Sequence, residues 1–139
     1  MHRFPSKEWT EAYQIALNHS RAYRDAGRPW TFGAVALIVR RDPTVGLEQD
    51  AGMVLDVHRG ECRGARFVEG VCDPEDAAFV IVASYACWKD VIQGRLGPIR
   101  AMMDGKLKLS RGHLPTIIRF VDSARQLVVS ACKVPTEFS

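Results

Sequence analysis

The sequence predicts an α+β domain, a mainly antiparallel sheet of about five strands with helices packed on one face. Three observations carry this. Apolar residues recur at spacings of three and four near both ends of the chain. Between them lie stretches that alternate or run wholly apolar, and these are grouped rather than interleaved one by one with helices. With 139 residues, 47% hydrophobic and 25% charged, residues 1–139 read as one domain burying about two-thirds of its unfolded surface.

The first helix should start after Ser6, a good N-cap, and run to about Asp25, with Gly27 closing it. Trp9, Ala12, Tyr13, Ala16, Leu17, Ser20 and Tyr23 form its apolar-to-aromatic stripe. Phe32 to Val39 is apolar on both alternating faces, which suits a strand covered on both sides. Asp42-Pro43 and Gly46 mark a loop. Met53, Leu55 and Val57 then alternate with Val54, Asp56 and His58. Arg59-Gly60 makes a tight turn, and Cys62 to Glu69 returns as the second arm of a hairpin. Arg66 is expected across that hairpin as the partner of Asp56.

A fourth strand covers about Ala78 to Ala83. Ser84 can cap a short helix carrying Tyr85, Trp88 and Ile92, stopped near Gly94. Pro98 fits the first position of another short helix, where its missing N–H costs nothing, and Gly105 can take the left-handed conformation that ends it. Leu107 and Leu109, alternating with Lys106 and Lys108, make a short strand with one wet face. A last helix runs from about Leu114 to Lys133, with Leu114, Ile117, Ile118, Val121, Ala124, Val128 and Ala131 on one side and Pro135 as its stop.

Several function classes fall away. A formal charge of +3 permits contact with anionic headgroups but falls short of nucleic-acid binding. No apolar run is long enough to span a bilayer, and "MHRFPSKEW" lacks the apolar core of a signal peptide, so a cytoplasmic protein is expected. Cys62, Cys72, Cys87 and Cys132 include no C-x-x-C pair and read as free buried thiols. "GK" at Gly105-Lys106 is not a phosphate loop: Arg100 stands where a glycine is needed, and Leu107 follows the lysine where Ser or Thr should.

The segment "GPIRAMMDGKLKL" needs another explanation. Trp88, Gly94, Pro98, Ala101, Met103, Gly105, Lys106, Leu107 and Lys108 match, in identity and spacing, the recurring core of the sterol carrier protein type-2 family. That core reads Asp-Pro-x-x-Ala-Phe-Met-x-Gly-Lys-Leu-Lys after a Trp-containing helix ending in glycine. Met102 stands where Phe is common, and Gly97 replaces the Asp before proline, removing a helix N-cap. The strand ends Leu109-Ser110-Arg111-Gly112, its glycine displaced by one. The resemblance extends by element order over Phe32 to Lys133, is specific over about 88–109, and is to the single-domain bacterial and archaeal members. It implies a hydrophobic tunnel between sheet and helices, with the last helix and C-terminus as a lid.

On that resemblance the chain is a non-catalytic binding and transfer protein for a fatty acid, fatty acyl-CoA or sterol-like amphiphile, without a cofactor. The tunnel residues implied are Trp88, Ile92, Met102, Met103, Leu107, Ile117, Ile118 and Val121. Met is unbranched and polarizable, so adjacent methionines can adapt to chains of different shape, and Met103→Lys is expected to weaken binding more than tenfold. Arg100, Lys106 and Lys108 are the candidate headgroup or membrane contacts. Phe138 in the tail could plug the tunnel mouth, and the resemblance leaves the position of that tail open.

Two alternatives stand beside this. One is an interaction module with a closed core, or a homodimer through the first helix's aromatic stripe. The other is an enzyme pairing Cys62 with His58, with Cys62 sharing a strand face with Gly64 and Arg66 and so partly exposed. His58, Cys62 and Cys72 lack a second ligand pair, so no metal site is expected.

Overall fold

The computed structural model describes residues 1–70 and 73–138, so Cys72 lies outside the described residues. A two-residue strand, β1 (His2–Arg3), precedes α1 (Lys7–Asn18), whose N-cap Ser6 accepts a hydrogen bond from the Trp9 amide at 3.0 Å. The expected single helix to Asp25 is two helices. Ser20 turns extended (φ −91°, ψ 109°), accepts from the Tyr23 amide, and starts α2 (Arg21–Gly27). A serine that caps well competes with helix continuation. Asn18 meanwhile reaches across to the sheet, taking the Cys62 amide at 2.8 Å and donating to the Cys62 carbonyl at 2.9 Å. The stripe survives the break: Trp9, Tyr13, Leu17, Ser20 and Tyr23 are all buried within the chain, so they offer no aromatic surface to a second copy.

Five strands form the main sheet: β2 (Ala34–Val39), β3 (Ala51–His58), β4 (Glu61–Glu69), β5 (Ala77–Ala83) and β6 (Lys108–Arg111). Their spatial order is β4-β3-β2-β5-β6, antiparallel except for the β2–β5 pair. A short 3₁₀ turn (Pro43–Val45) sits in the expected loop, and Arg59-Gly60, both at positive φ, turn the β3–β4 hairpin. Between β5 and β6 come α3 (Tyr85–Ile92), capped by Ser84, and α4 (Pro98–Met103), which has Gly97 and no side-chain cap. After β6 the expected long helix is again divided: Phe120 (φ −109°, ψ 42°) separates α5 (Leu114–Arg119) from α6 (Val121–Cys132). Its ring packs beside Phe32 at 5.1 Å and edge-on to Trp30, a contact that local helical spacing could not anticipate. The strand β7 (Thr136–Glu137) closes the chain by pairing in parallel with β1.

The helices lie on one face of the sheet, with α6 touching each of α1 to α5. Val35, Val39, Met53, Leu55, Val57, Phe79 and Ala83 face them in the principal core. Ala36, Ile38, Val54, Ala77 and Val80 form a smaller cluster on the opposite face. Thus β2 is buried on both sides, as its unbroken apolar run requires, without helices on its second face.

Hairpin alternation fails at one place. Leu55 pairs with Ala65 but Val57 with Cys62, so Arg63 and Gly64 together oppose Asp56 in a bulge. The extra residue switches parity, and Cys62 points into the core rather than sharing an exposed face with Arg66. Asp56 consequently pairs with Arg63 at 3.0 Å, while Arg66 forms a two-pronged contact with Asp76, both bonds 3.0 Å.

Candidate functional site

Between the sheet and α4, α5 and α6 lies an internal cavity of about 60 Å³. Each element contributes by its own periodicity. Val35 and Leu37 come from β2, Phe79 and Ile81 from β5, Ile99 and Met102 from α4, and Ala124, Leu127 and Val128 from α6. Tyr13, Trp30, Trp88, Leu107 and Ile117 complete most of the wall. A smaller void of about 20 Å³ lies behind it, sharing Tyr13, Leu37, Trp88 and Val128 with the first. On the outer side an open groove of about 580 Å³ runs between α4, β6 and α5, sharing Ile99, Met102 and Leu107 with the cavity. Three apolar spaces therefore stand in series, divided by side chains that line two of them at once.

The lining is almost wholly apolar, Ser123 apart, because the polar ends of its aromatic residues are committed elsewhere. Trp88 Nε1 donates to the Ile38 carbonyl at 2.8 Å, Trp30 Nε1 to the Gly33 carbonyl at 3.0 Å, and the Tyr13 hydroxyl to the Leu127 carbonyl at 2.8 Å. The aromatic bodies remain to face the cavity. Tyr13 is the one titratable wall residue; burial first, then neighbouring Tyr23, pushes its pKa well up, so the phenol stays neutral. Such a chamber can hold hydrocarbon but offers no charge to a headgroup or metal ion. Among the described residues no cluster of His, Cys, Asp and Glu is arranged to hold a metal.

Trp88 stands between cavity and void, Ile92 lines the void, Met102 and Leu107 form the wall to the groove, and Ile117 faces the cavity. Met103 and Ile118 are not interior: they are 83% and 57% exposed and line the outer groove. A six-residue helix cannot turn consecutive methionines the same way, since neighbours differ by about 100° around the axis. Val121 is half-buried at the start of α6 and lines none of the three spaces. Lys108 lines the groove, Lys106 is exposed beside it, and exposed Arg100 faces Asp104 at 3.7 Å. Phe138 does not plug the cavity; it packs against Phe4 at 5.9 Å and Tyr85 at 6.4 Å, below Lys89.

Two glycines shape the groove. Gly105 (φ 75°) ends α4 as expected. The displaced Gly112 (φ 116°) lies so close to Phe79 that a Cβ there would sit 2.4 Å from its ring, so this glycine lets the chain leave β6 over a cavity wall.

Tyr13, Trp30, Phe79 and Leu127 were missed as lining residues by sequence reasoning. Strand alternation could have pointed to Phe79, but Tyr13 meets α6 across 114 positions and carries no local signal. The Cys62–His58 reading has no thiolate to work with. The Cys62 thiol is buried, donates to the Gly64 carbonyl at 3.3 Å, and is pushed up to about 11, mainly by burial.

The sequence pattern of the SCP-2 sterol transfer family matches residues 14–111. A crystal structure of sterol carrier protein 2 superposes with a TM-score of 0.86 at 41% identity, covering 93% of this chain and 97% of that one. The solution structure of a conserved hypothetical protein from Thermus thermophilus, described as possibly a sterol carrier protein, follows at 0.85 and 40% identity, covering 96% and 91%. The apo form of sterol carrier protein 2 from Yarrowia lipolytica shares the fold at 0.58, with 15% identity over 94% of each chain. No curated protein sequence matches.

Proposed function

The chain belongs to the SCP-2 sterol transfer family, and from that premise we propose that it binds one lipid by its hydrocarbon part, without catalysis, and carries it between sites. The ligand class is a fatty acid, fatty acyl-CoA or sterol-like amphiphile. The observation that carries this is the series of three apolar spaces with shared walls and no charged lining inside.

An engineered apolar cavity of about 150 Å³ holds a benzene molecule, so 60 Å³ is too small for a long chain at rest. Binding therefore requires the Ile99–Met102–Leu107 wall to move, joining groove and cavity. Met102 suits that role, because its three rotatable bonds let it repack at small cost. Each methylene buried contributes about 0.8 kcal/mol, so about ten would support micromolar affinity with few directional contacts. A headgroup stays at the groove, where Arg100, Lys106 and Lys108 are exposed.

Native mass spectrometry of gently purified protein, paired with organic extraction, tests this. A stoichiometric adduct of acyl-chain or sterol mass is expected. Failure of added fatty acid, acyl-CoA and sterol all to bind at micromolar concentration would overturn the reading.

A further inference from the structure

The groove face carries more than a channel entrance needs. Met103, Leu114 and Ile118 are 83%, 45% and 57% exposed, the most exposed large apolar side chains on this side of the molecule. They come from two short helices, α4 and α5, that flank one opening and present a contiguous apolar rim. Exposed apolar clusters of this kind mark contact surfaces.

Charge says which kind. Residues 95–119 include six of the chain's 19 lysines and arginines and one of its 16 acidic residues; the rest of the chain is, on balance, acidic. Of those six cations, Arg111 holds Asp73 and the carbonyls of Pro74 and Ala77, and exposed Arg95 has a single long contact with Asp90 at 3.8 Å. Arg100 has a single long contact with Asp104. Lys106 and Lys108 have no ion pair among the described residues, and Arg119 lies over the Phe120 ring at 5.4 Å. Apolar side chains projecting among uncommitted cations match the boundary between anionic headgroups and acyl chains.

Resting on the lipid-binding reading, we infer that the α4–β6–α5 face docks on anionic bilayers. Met103, Leu114 and Ile118 enter the headgroup–acyl boundary, and Lys106 and Lys108 lie at headgroup level. The Ile99–Met102–Leu107 wall then opens toward the bilayer, so an acyl chain passes between membrane and cavity without crossing water.

Vesicle co-sedimentation tests this with phosphatidylcholine alone and with about 30% phosphatidylglycerol, at about 50 and 500 mM salt. Wild-type protein should sediment with the anionic vesicles only, and mostly at low salt. Lys106→Glu/Lys108→Glu should lower partitioning at least tenfold, and Ile118→Asp several-fold, with melting temperatures unchanged. Arg40→Glu/Arg41→Glu, an equal charge reversal at two exposed positions on the sheet side, should change it less than threefold. An equal loss in that control would mean that overall charge alone directs binding, and the inference would fall. It would also fall if wild type ignored anionic vesicles, or if light scattering showed a dimer that Ile118→Asp dissolves, since a second copy would then cover the face. Displacement of a fluorescent fatty acid in solution, measured on the same variants, separates the two ideas. Retained solution binding without vesicle docking removes the docking face and leaves the lipid-binding reading intact.

Discussion

Filling the internal cavity should separate stability from lipid affinity. Ala124 lines the 60 Å³ space from α6, and Ala124→Leu keeps a good helix former there while extending three carbons toward it. An unfilled cavity costs about 24 cal/mol per Å³, so complete filling would add about 1.4 kcal/mol, or about 3–5 °C in Tm for a domain this size. Overpacking works against that gain, and a leucine too large for the space would lose about 1–3 kcal/mol. The expected outcome is a urea midpoint unchanged or raised by up to about 1.4 kcal/mol of stability, with fatty-acid affinity reduced at least tenfold because the chain's first position is occupied. Equilibrium urea unfolding and displacement of a fluorescent fatty acid read the two quantities on one preparation. A variant of undiminished stability that binds lipid as tightly as wild type would refute the assignment of this cavity. A loss of more than about 1 kcal/mol would instead show that the space cannot accept a side chain.

The two methionines should diverge. Met102→Lys places a charge in the dividing wall and should weaken free fatty-acid binding more than tenfold, whereas Met103→Lys, at an 83% exposed position, should leave it within about threefold. Equal effects in the displacement assay would contradict the placement of the wall. Alkaline pH should destabilise the protein. The native Cys62 thiol is raised from its ordinary 9.0 to about 11, so between those values the unfolded chain loses a proton that the native state keeps. From neutral pH to about 8.5 the Cys62 contribution should be constant, and stability should then fall by up to about 2–3 kcal/mol by pH 11, with Tyr13 and Tyr23, both raised by burial, adding to the loss above pH 10. Cys62→Ala should make the portion below pH 10 shallower in urea titrations at stepped pH, with Cys87 and Cys132, whose thiols burial also pushes up, carrying the remainder. Asn18→Ala removes two of the three hydrogen bonds that tie α1 to Cys62 on β4, leaving Gln14 Nε2 on the Cys62 carbonyl at 3.2 Å, and should cost about 1–3 kcal/mol in urea unfolding. A change under about 0.5 kcal/mol would mean that water replaces the amide freely.

Local patterns determined most of the framework. The hairpin's inward Met53, Leu55 and Val57, the caps at Ser6 and Ser84, the proline start of α4 and the glycine that ends it are all visible within a few residues of themselves. The 88–109 stretch was enough to place the family, and its Trp88, Met102 and Leu107 line the cavity together with Ile117 from the apolar spacing of the last helical region. These features are legible because periodicity and capping are short-range properties of the chain.

Tertiary structure decided what short range cannot carry. Both long helices broke where a side chain found a distant partner, Asn18 on Cys62 and Phe120 beside Trp30 and Phe32. A one-residue bulge opposite Asp56 reversed the face of Cys62, which no count of alternation reveals. Above all, helix rotation divided the paired methionines, turning Met102 to the cavity wall and Met103 to the solvent groove. Apolar composition alone cannot distinguish a side chain that fills a core from one that bounds a hollow or faces a membrane. That distinction depends on where the neighbouring elements come to rest, and for this chain it arises from α6 packing over the sheet with α4 and α5 at the cavity's open side.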